Sequence, residues 1–177
     1  MRTFLAIDLP KEVTDALVRL QAMLPAGRAV PPGNLHLTLA FLDDRPEDQL
    51  ELLHEDLSAQ RFAAPDLAFC GLNCFGAPRP ALLFAEIAAS AALGTLHAGV
   101  HRLIRASGIT LPRERYRPHV TLARFRKGAD PVPLHRFLEQ HGRTALPGFT
   151  ARQMTLYRST LHADGARHDP LASYPLS

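Results

Sequence analysis

"LHLTLAFL", residues 35–42, alternates apolar and polar side chains through Leu39, and its H-x-T-L-A core returns as "HVTLARF" at 119–125. Strict alternation marks a strand with one wet face. Leu35, Leu37 and Leu39 point one way, and His36 and Thr38 point the other. The second copy sets His119 and Thr121 in the same relation. The two histidines stand 83 residues apart in a chain of 177 (119 − 36), close to half its length. A strand duplicated at that spacing predicts one β/α unit used twice.

The flanks agree with this reading. "RTFLAIDL" (2–9) is a compact apolar run with strand character. Pro10 opens a helix carrying Val13, Leu17, Leu20 and Leu24. "PPGN" (31–34) is a turn. Residues 43–57 begin with acids and a proline and continue at helical spacing. Strands are expected at 66–76 and 81–87, with "PRP" (78–80) turning the chain between them. Residues 90–107 form a second long helix ending at Gly108. After the second motif come a short helix near 133–141, a strand over 149–159 and a closing "LASYPL". Each motif strand therefore follows a long helix and precedes a helix and then a strand. Two such units related by a pseudo-twofold would bring the motif strands together, with His36, Thr38, His119 and Thr121 lining the groove between them.

Composition sets bounds. The chain is 46% hydrophobic and 21% charged, ordinary for a globular protein with a sizeable core. Its formal charge is +3, and Lys occurs only as Lys11 and Lys127, so the basic residues are almost all Arg. The guanidinium fork suits phosphate, although this balance permits such a partner without demanding one. Cys70 and Cys74 lie too far apart along a strand for an easy disulfide and are expected as thiols. The N-terminus shows no signal-peptide pattern, and no stretch approaches the roughly 20 apolar residues of a membrane span. A cytoplasmic protein is expected.

The residue types explain the spacing. Positions i and i+2 of a strand share a face, so each motif presents an imidazole and a hydroxyl to one spot. Imidazole serves as acid or base near neutral pH. A Thr hydroxyl can donate to a phosphate oxygen. Two facing copies supply an acid, a base and two donors, the layout for in-line displacement at phosphorus. Such a mechanism needs no metal or other cofactor.

The chain resembles the two-histidine (2H) phosphoesterases, and within them the RNA 2′,3′-cyclic phosphodiesterases, also called 2′-5′ RNA ligases. The resemblance rests on "RTFLAIDLP", "VPPGNLHLTLAFL", "RYRPHVTLARF", "LYRSTL" and the closing "YPL". Family members often carry Trp where this chain has Ala29 and Phe84. The resemblance implies an α+β fold: two pseudo-symmetric β/α lobes with antiparallel sheets around a central cleft, one bilobed domain over 1–177. It implies that His36 protonates the leaving 3′ oxygen and that His119 activates water. Thr38 and Thr121 would hold the non-bridging oxygens. Arg124 matches the family's usual Arg, yet its strand parity opposes that of His119, so its place in the cleft requires a bend; the alternative is a solvated surface cation. Tyr116 is either a stacking platform for a base or a core aromatic. Phe4 and Phe41 are expected in the core. Arg113, Arg115 and Arg117 make a basic run beside the cleft.

The expected partners are RNA ends or small cyclic nucleotides, with no membrane, no obligate protein partner and a monomeric chain. Rival readings keep the fold and change the substrate to a small cyclic nucleotide or 2′-5′ oligoadenylate, or make the chain a non-catalytic binder of RNA ends. His97 and His101, at i and i+4 of a helix, lack the further ligands of a metal site. His54, His135, His141, His162 and His168 are expected at the surface.

Overall fold

The computed structural model describes residues 1–76, 78–163 and 165–177. β1 (Arg2–Asp8) is followed by α1 (Lys11–Gln21), which buries Val13, Ala16, Leu17 and Leu20. β2 (Arg28–Ala29) and a 3-10 turn at Pro32–Asn34 lead into β3 (His36–Asp44), the first motif strand. Then come α2 (Glu47–Ala59), β4 (Asp66–Leu67) and β5 (Phe69–Phe75). The second half runs through β6 (Leu82–Ile87), α3 (Ala91–Ala106), the second motif strand β7 (His119–Arg124) and α4 (Val132–His141). It closes with β8 (Phe149–Thr150), β9 (Gln153–His162) and β10 (Gly165–Pro175).

An eight-stranded sheet has the order β10-β9-β1-β3-β7-β6-β5, with β2 joined to β7, and β4 and β8 form a separate pair. Every ladder is antiparallel. The order β9-β1-β3 mirrors β7-β6-β5 about the seam between the motif strands, where Leu37 lies opposite Val120. The α+β class and the pseudo-twofold are thus borne out.

The two units are interlaced rather than set side by side. β5 follows the first motif yet pairs with β6 of the second half, and β9 follows the second motif yet pairs with β1. Each half supplies the other's outer strand. The helices cross in the same way, with α1 packing on β7 and α3 on β3. Leu37, Leu39, Val120 and Leu122 are buried in one core with Leu17, Leu53, Val100 and Ile104 of the helices. Burial of each such side chain contributes about 1.5–3 kcal/mol. The strand alternation that buries these leucines turns the His–Thr pairs to the opposite side.

Several boundaries differ from the sequence reading. β3 runs on to Asp44, so Asp43 and Asp44 are strand, and α2 starts only after Pro46. The single strand expected at 66–76 is divided at Ala68 into β4 and β5. The closing "LASYPL", up to Pro175, belongs to an 11-residue strand that also takes in "GARHDP". That segment looks like a loop because it is polar and contains Pro170. At the sheet edge it pairs on one side only, where a proline and polar side chains are tolerated. Cys70 and Cys74 are free thiols. No described helix is long and apolar enough to cross a membrane.

Candidate active site

The two motif strands open onto one cleft of about 660 Å³, lined by His36, Thr38, His119, Thr121 and Arg124 among others. Five of the six candidate residues from the sequence therefore converge. The histidines are held alike. His36 donates its Nδ1–H to the Asn34 carbonyl at 2.7 Å, and His119 donates its Nδ1–H to the Arg117 carbonyl at 2.6 Å. A carbonyl only accepts, so each Nδ1 carries a proton and each Nε2 remains for chemistry. A neutral ring then offers a basic Nε2, and a protonated ring offers an acidic Nε2–H. Aromatic rings back both histidines: Phe4 stacks on His36 at 4.8 Å, and Phe84 lies 5.1 Å from His119. Phe84, at one of the two departures from the family's Trp, is a buried support for His119.

Arg124 reaches the cleft through a β-bulge. The register passes from Phe84↔Thr121 to Leu83↔Ala123, leaving Leu122 as an extra residue of β7. Leu122 and Ala123 are both buried, so the alternation resets and Arg124 joins His119 and Thr121 on the wet face. The first motif carries the same bulge: Ala6↔Thr38 passes to Leu5↔Ala40, with Leu39 extra. There the reset brings Phe41 to the cleft, 62% exposed. The core position expected for Phe41 is thus corrected: it is the pseudo-symmetry mate of Arg124.

The carbonyls at the two bulges are capped reciprocally. His101 of α3 donates Nε2–H to the Leu39 carbonyl at 3.2 Å, and Gln21 of α1 donates to the Leu122 carbonyl at 2.8 Å. Tyr116 belongs to this support. Its hydroxyl donates to the Thr38 carbonyl at 3.1 Å, and its ring stacks on His97 at 3.8 Å. Tyr116 does not line the cleft, so the base-stacking alternative gives way to the structural one. Burial pushes its hydroxyl pKa well above the ordinary value. His97 and His101 lie 4.1 Å apart, engaged in this packing. Burial, and then the charge of His101, push His97 down to about 4.

His36 is the electrostatically distinctive group. Burial, and then the neighbouring His168, push its pKa down to about 4, against the opposing pull of the Asn34 carbonyl and Asp8; Arg124 lowers it further. Asp8 lies opposite His36 on β1, and Glu86 opposite His119 on β6. Asp8 accepts hydrogen bonds from Tyr157 at 2.6 Å, Thr155 at 2.7 Å and Gln153 at 2.8 Å.

The sequence reading missed Phe41, Asp8 and His168 as site residues. The half-chain offset of 83 that relates the histidines also relates Phe41 to Arg124, and was the available signal for Phe41. His168, expected at the surface, lines the cleft beside His36 because β10 folds back over β9. His162 lines it too while remaining exposed. Arg2, Arg28 and Arg167 add positive charge to the lining. Arg113 and Arg115 are exposed outside it, and Arg117 lies over the Phe75 ring at 4.6 Å. Among the described residues no group of three or more His, Cys, Asp or Glu converges as metal ligands would.

The sequence model of the 2′-5′ RNA ligase superfamily matches residues 7–163. A Thermus thermophilus protein named RNA 2′,3′-cyclic phosphodiesterase is 38% identical over 144 residues, covering 75% of this chain and 73% of that protein. An Escherichia coli protein of the same name is 28% identical over 192 residues, covering 99% and 97%. The crystal structure of a Thermus thermophilus protein superposes with a TM-score of 0.77 at 29% identity, covering 99% of this chain and 98% of that one.

Proposed function

From the premise that this chain belongs to the 2′-5′ RNA ligase superfamily, we propose that it is a metal-independent RNA 2′,3′-cyclic phosphodiesterase, opening cyclic ends to 2′-phosphomonoesters. The observation that carries this reading is the pair of imidazoles on one cleft, each with Nδ1 tied to the carbonyl two residues before it and Nε2 free. Two Nε2 atoms on opposite sides of a phosphate can take one proton and give one, with no further co-reactant.

His119 Nε2 removes a proton from water, whose oxygen bonds to phosphorus. The bond from phosphorus to the 3′ oxygen breaks, and His36 Nε2–H delivers its proton to that oxygen. Thr38 and Thr121 donate to the non-bridging oxygens, and Arg124 balances their charge. The low His36 pKa suits an acid that charges only in the complex, because the incoming phosphate anion favours the imidazolium. Phe41 offers an open ring to a base, and Arg2, Arg28 and Arg167 favour a polyanion over a neutral ligand. A 5′ hydroxyl attacking in place of water would open the same ring, breaking the bond from phosphorus to the 3′ oxygen and leaving a 2′-5′ linkage, in low yield because water is so abundant. We place the activity in one bilobed domain over 1–177, acting as a monomer in the cytoplasm.

The test is digestion of an oligonucleotide with a 2′,3′-cyclic end in the presence of EDTA, with the phosphate located by NMR against authentic 2′ and 3′ standards. The expected product is the 2′-phosphate at an undiminished rate. A 3′-phosphate product would reverse the acid and base, and a rate restored only by a divalent cation would overturn the metal-free mechanism.

A further inference from the structure

Among the described residues the pseudo-twofold leaves two strands of the large sheet unmatched, the two-residue β2 on β7 and the long β10 on β9. β9-β1-β3 mirrors β7-β6-β5, while β10 lies outside the mirror on β9. β10 brings a further histidine to the cleft, directly against His36. His168 approaches His36 edge-on, with ring centroids 5.3 Å apart at an interplanar angle of 68°. It also meets Phe4 edge-on at 4.7 Å. The rings recorded beside His119 are those of Phe75 and Phe84, at 5.3 and 5.1 Å. The two catalytic candidates are therefore equivalent in backbone and unlike in surroundings.

His168 is poorly explained as packing alone. Its Nδ1 is buried with no hydrogen-bond partner among the described residues. Burying an unpaired polar atom is unfavourable, and a phenyl ring in the same place would avoid that cost. An imidazole at that spot can do one thing a phenyl cannot: it can carry charge next to His36.

We propose that His168 is a positioning residue that makes the two halves of the site unequal: it and the buried His36 share at most one proton between them until an anionic phosphate enters the cleft. The groups around it fit this role. Burial discourages its protonation most, Arg124 reaching from β7 adds to this, and Asp169, its own neighbour, opposes both without reversing the downward shift. Asp169 is itself held by Arg158 at 3.3 Å and Arg167 at 3.0 Å, which offsets its charge. Tyr157 of β9 lies 6.4 Å away and commits its hydroxyl to Asp8 of β1. His36 of β3 is left as the titrating neighbour. A bound phosphate supplies the negative charge that lets both imidazoles be protonated at once. The pair would then separate His36, the acid, from His119, the base, before any substrate arrives.

The acid role of His36 rests on the phosphodiesterase reading, but the test reads the His36 ring itself, so the two fail separately. Wild type, His168→Gln and His168→Phe, each as the full chain labelled at histidine ring atoms, are titrated by NMR with and without inorganic phosphate. Signals are assigned with His36→Gln. Without phosphate the His36 midpoint should lie about half a pH unit or more higher in both variants than in wild type. Saturating phosphate should raise the wild-type midpoint and narrow that gap. A His36 midpoint unchanged in folded His168→Gln would overturn the proposal, and this variant decides the matter if His168→Phe does not fold. Loss of turnover with an unchanged midpoint would equally overturn it, as the mark of a merely structural role.

Discussion

At the scale of single residues, the proposed mechanism divides the site into groups that move protons and groups that hold charge. Replacement of either histidine by Ala removes an acid or a base, and kcat/KM should fall on the order of 10²–10⁴-fold. Thr38→Ala and Thr121→Ala remove one donor each to oxygens that Arg124 also balances, and their loss should be smaller. Phe41→Ala should act mainly through KM, since stacking of one base contributes about 1–3 kcal/mol. Steady-state kinetics on a cyclic-ended dinucleotide separates these classes. Full activity in His119→Ala would refute the pairing of the two motifs. Tyr116 shows why residue type alone misleads: an aromatic beside a nucleotide cleft invites a stacking role, yet its hydroxyl is spent on the Thr38 carbonyl.

At the scale of elements, the bulges at Leu39 and Leu122 decide which side chains reach the cleft. Each is braced by the helix of the opposite half, His101 of α3 on one and Gln21 of α1 on the other. His101→Leu should cost about 1 kcal/mol of stability through its lost hydrogen bond, and Gln21→Leu about 2 kcal/mol, because the Gln21 amide also donates to the Val30 carbonyl at 2.8 Å. They should also lower kcat/KM, the first by loosening Thr38 and Phe41, the second by loosening Arg124. Urea melts and kinetics on the two variants check this. Folded variants with wild-type kinetics would show that the bulges hold their shape without the braces. Arg124 illustrates the limit of pattern reading here. Alternation counted from His119 puts it on the wrong face, and only the extra residue Leu122 corrects the count.

At the scale of the whole molecule, the cleft imposes a pH dependence on the fold. His36 has a folded-state pKa of about 4 against an ordinary 6.5, so the unfolded chain takes up this proton first as pH falls. Stability should therefore decline from about pH 6.5 to about pH 4 and level off below, by on the order of 3 kcal/mol for this one group. His97 acts in the same direction, its more exposed ring contributing less. Thermal melts across this range should show the slope, and His36→Gln should flatten it. An equally steep slope in His36→Gln would assign the effect to other groups.

The motif strands, their helices, the pairing of His36 with His119 and the doubling of the unit were legible in the sequence alone. These follow from local periodicity and spacing, which a chain carries wherever its partners lie. Tertiary structure decided the interlacing of the halves, because which strand joins which edge depends on long-range pairing that no local pattern records. It decided the bulges as well, since an extra residue exists only relative to a partner strand. From those two facts came Phe41 and Arg124 in the cleft, and Tyr116 beneath it. His168 came from β10, a polar edge strand that pairs with β9. Its sequence shows no strand period, and the strand forms because the hairpin ladder supplies the hydrogen bonds that the pattern does not announce.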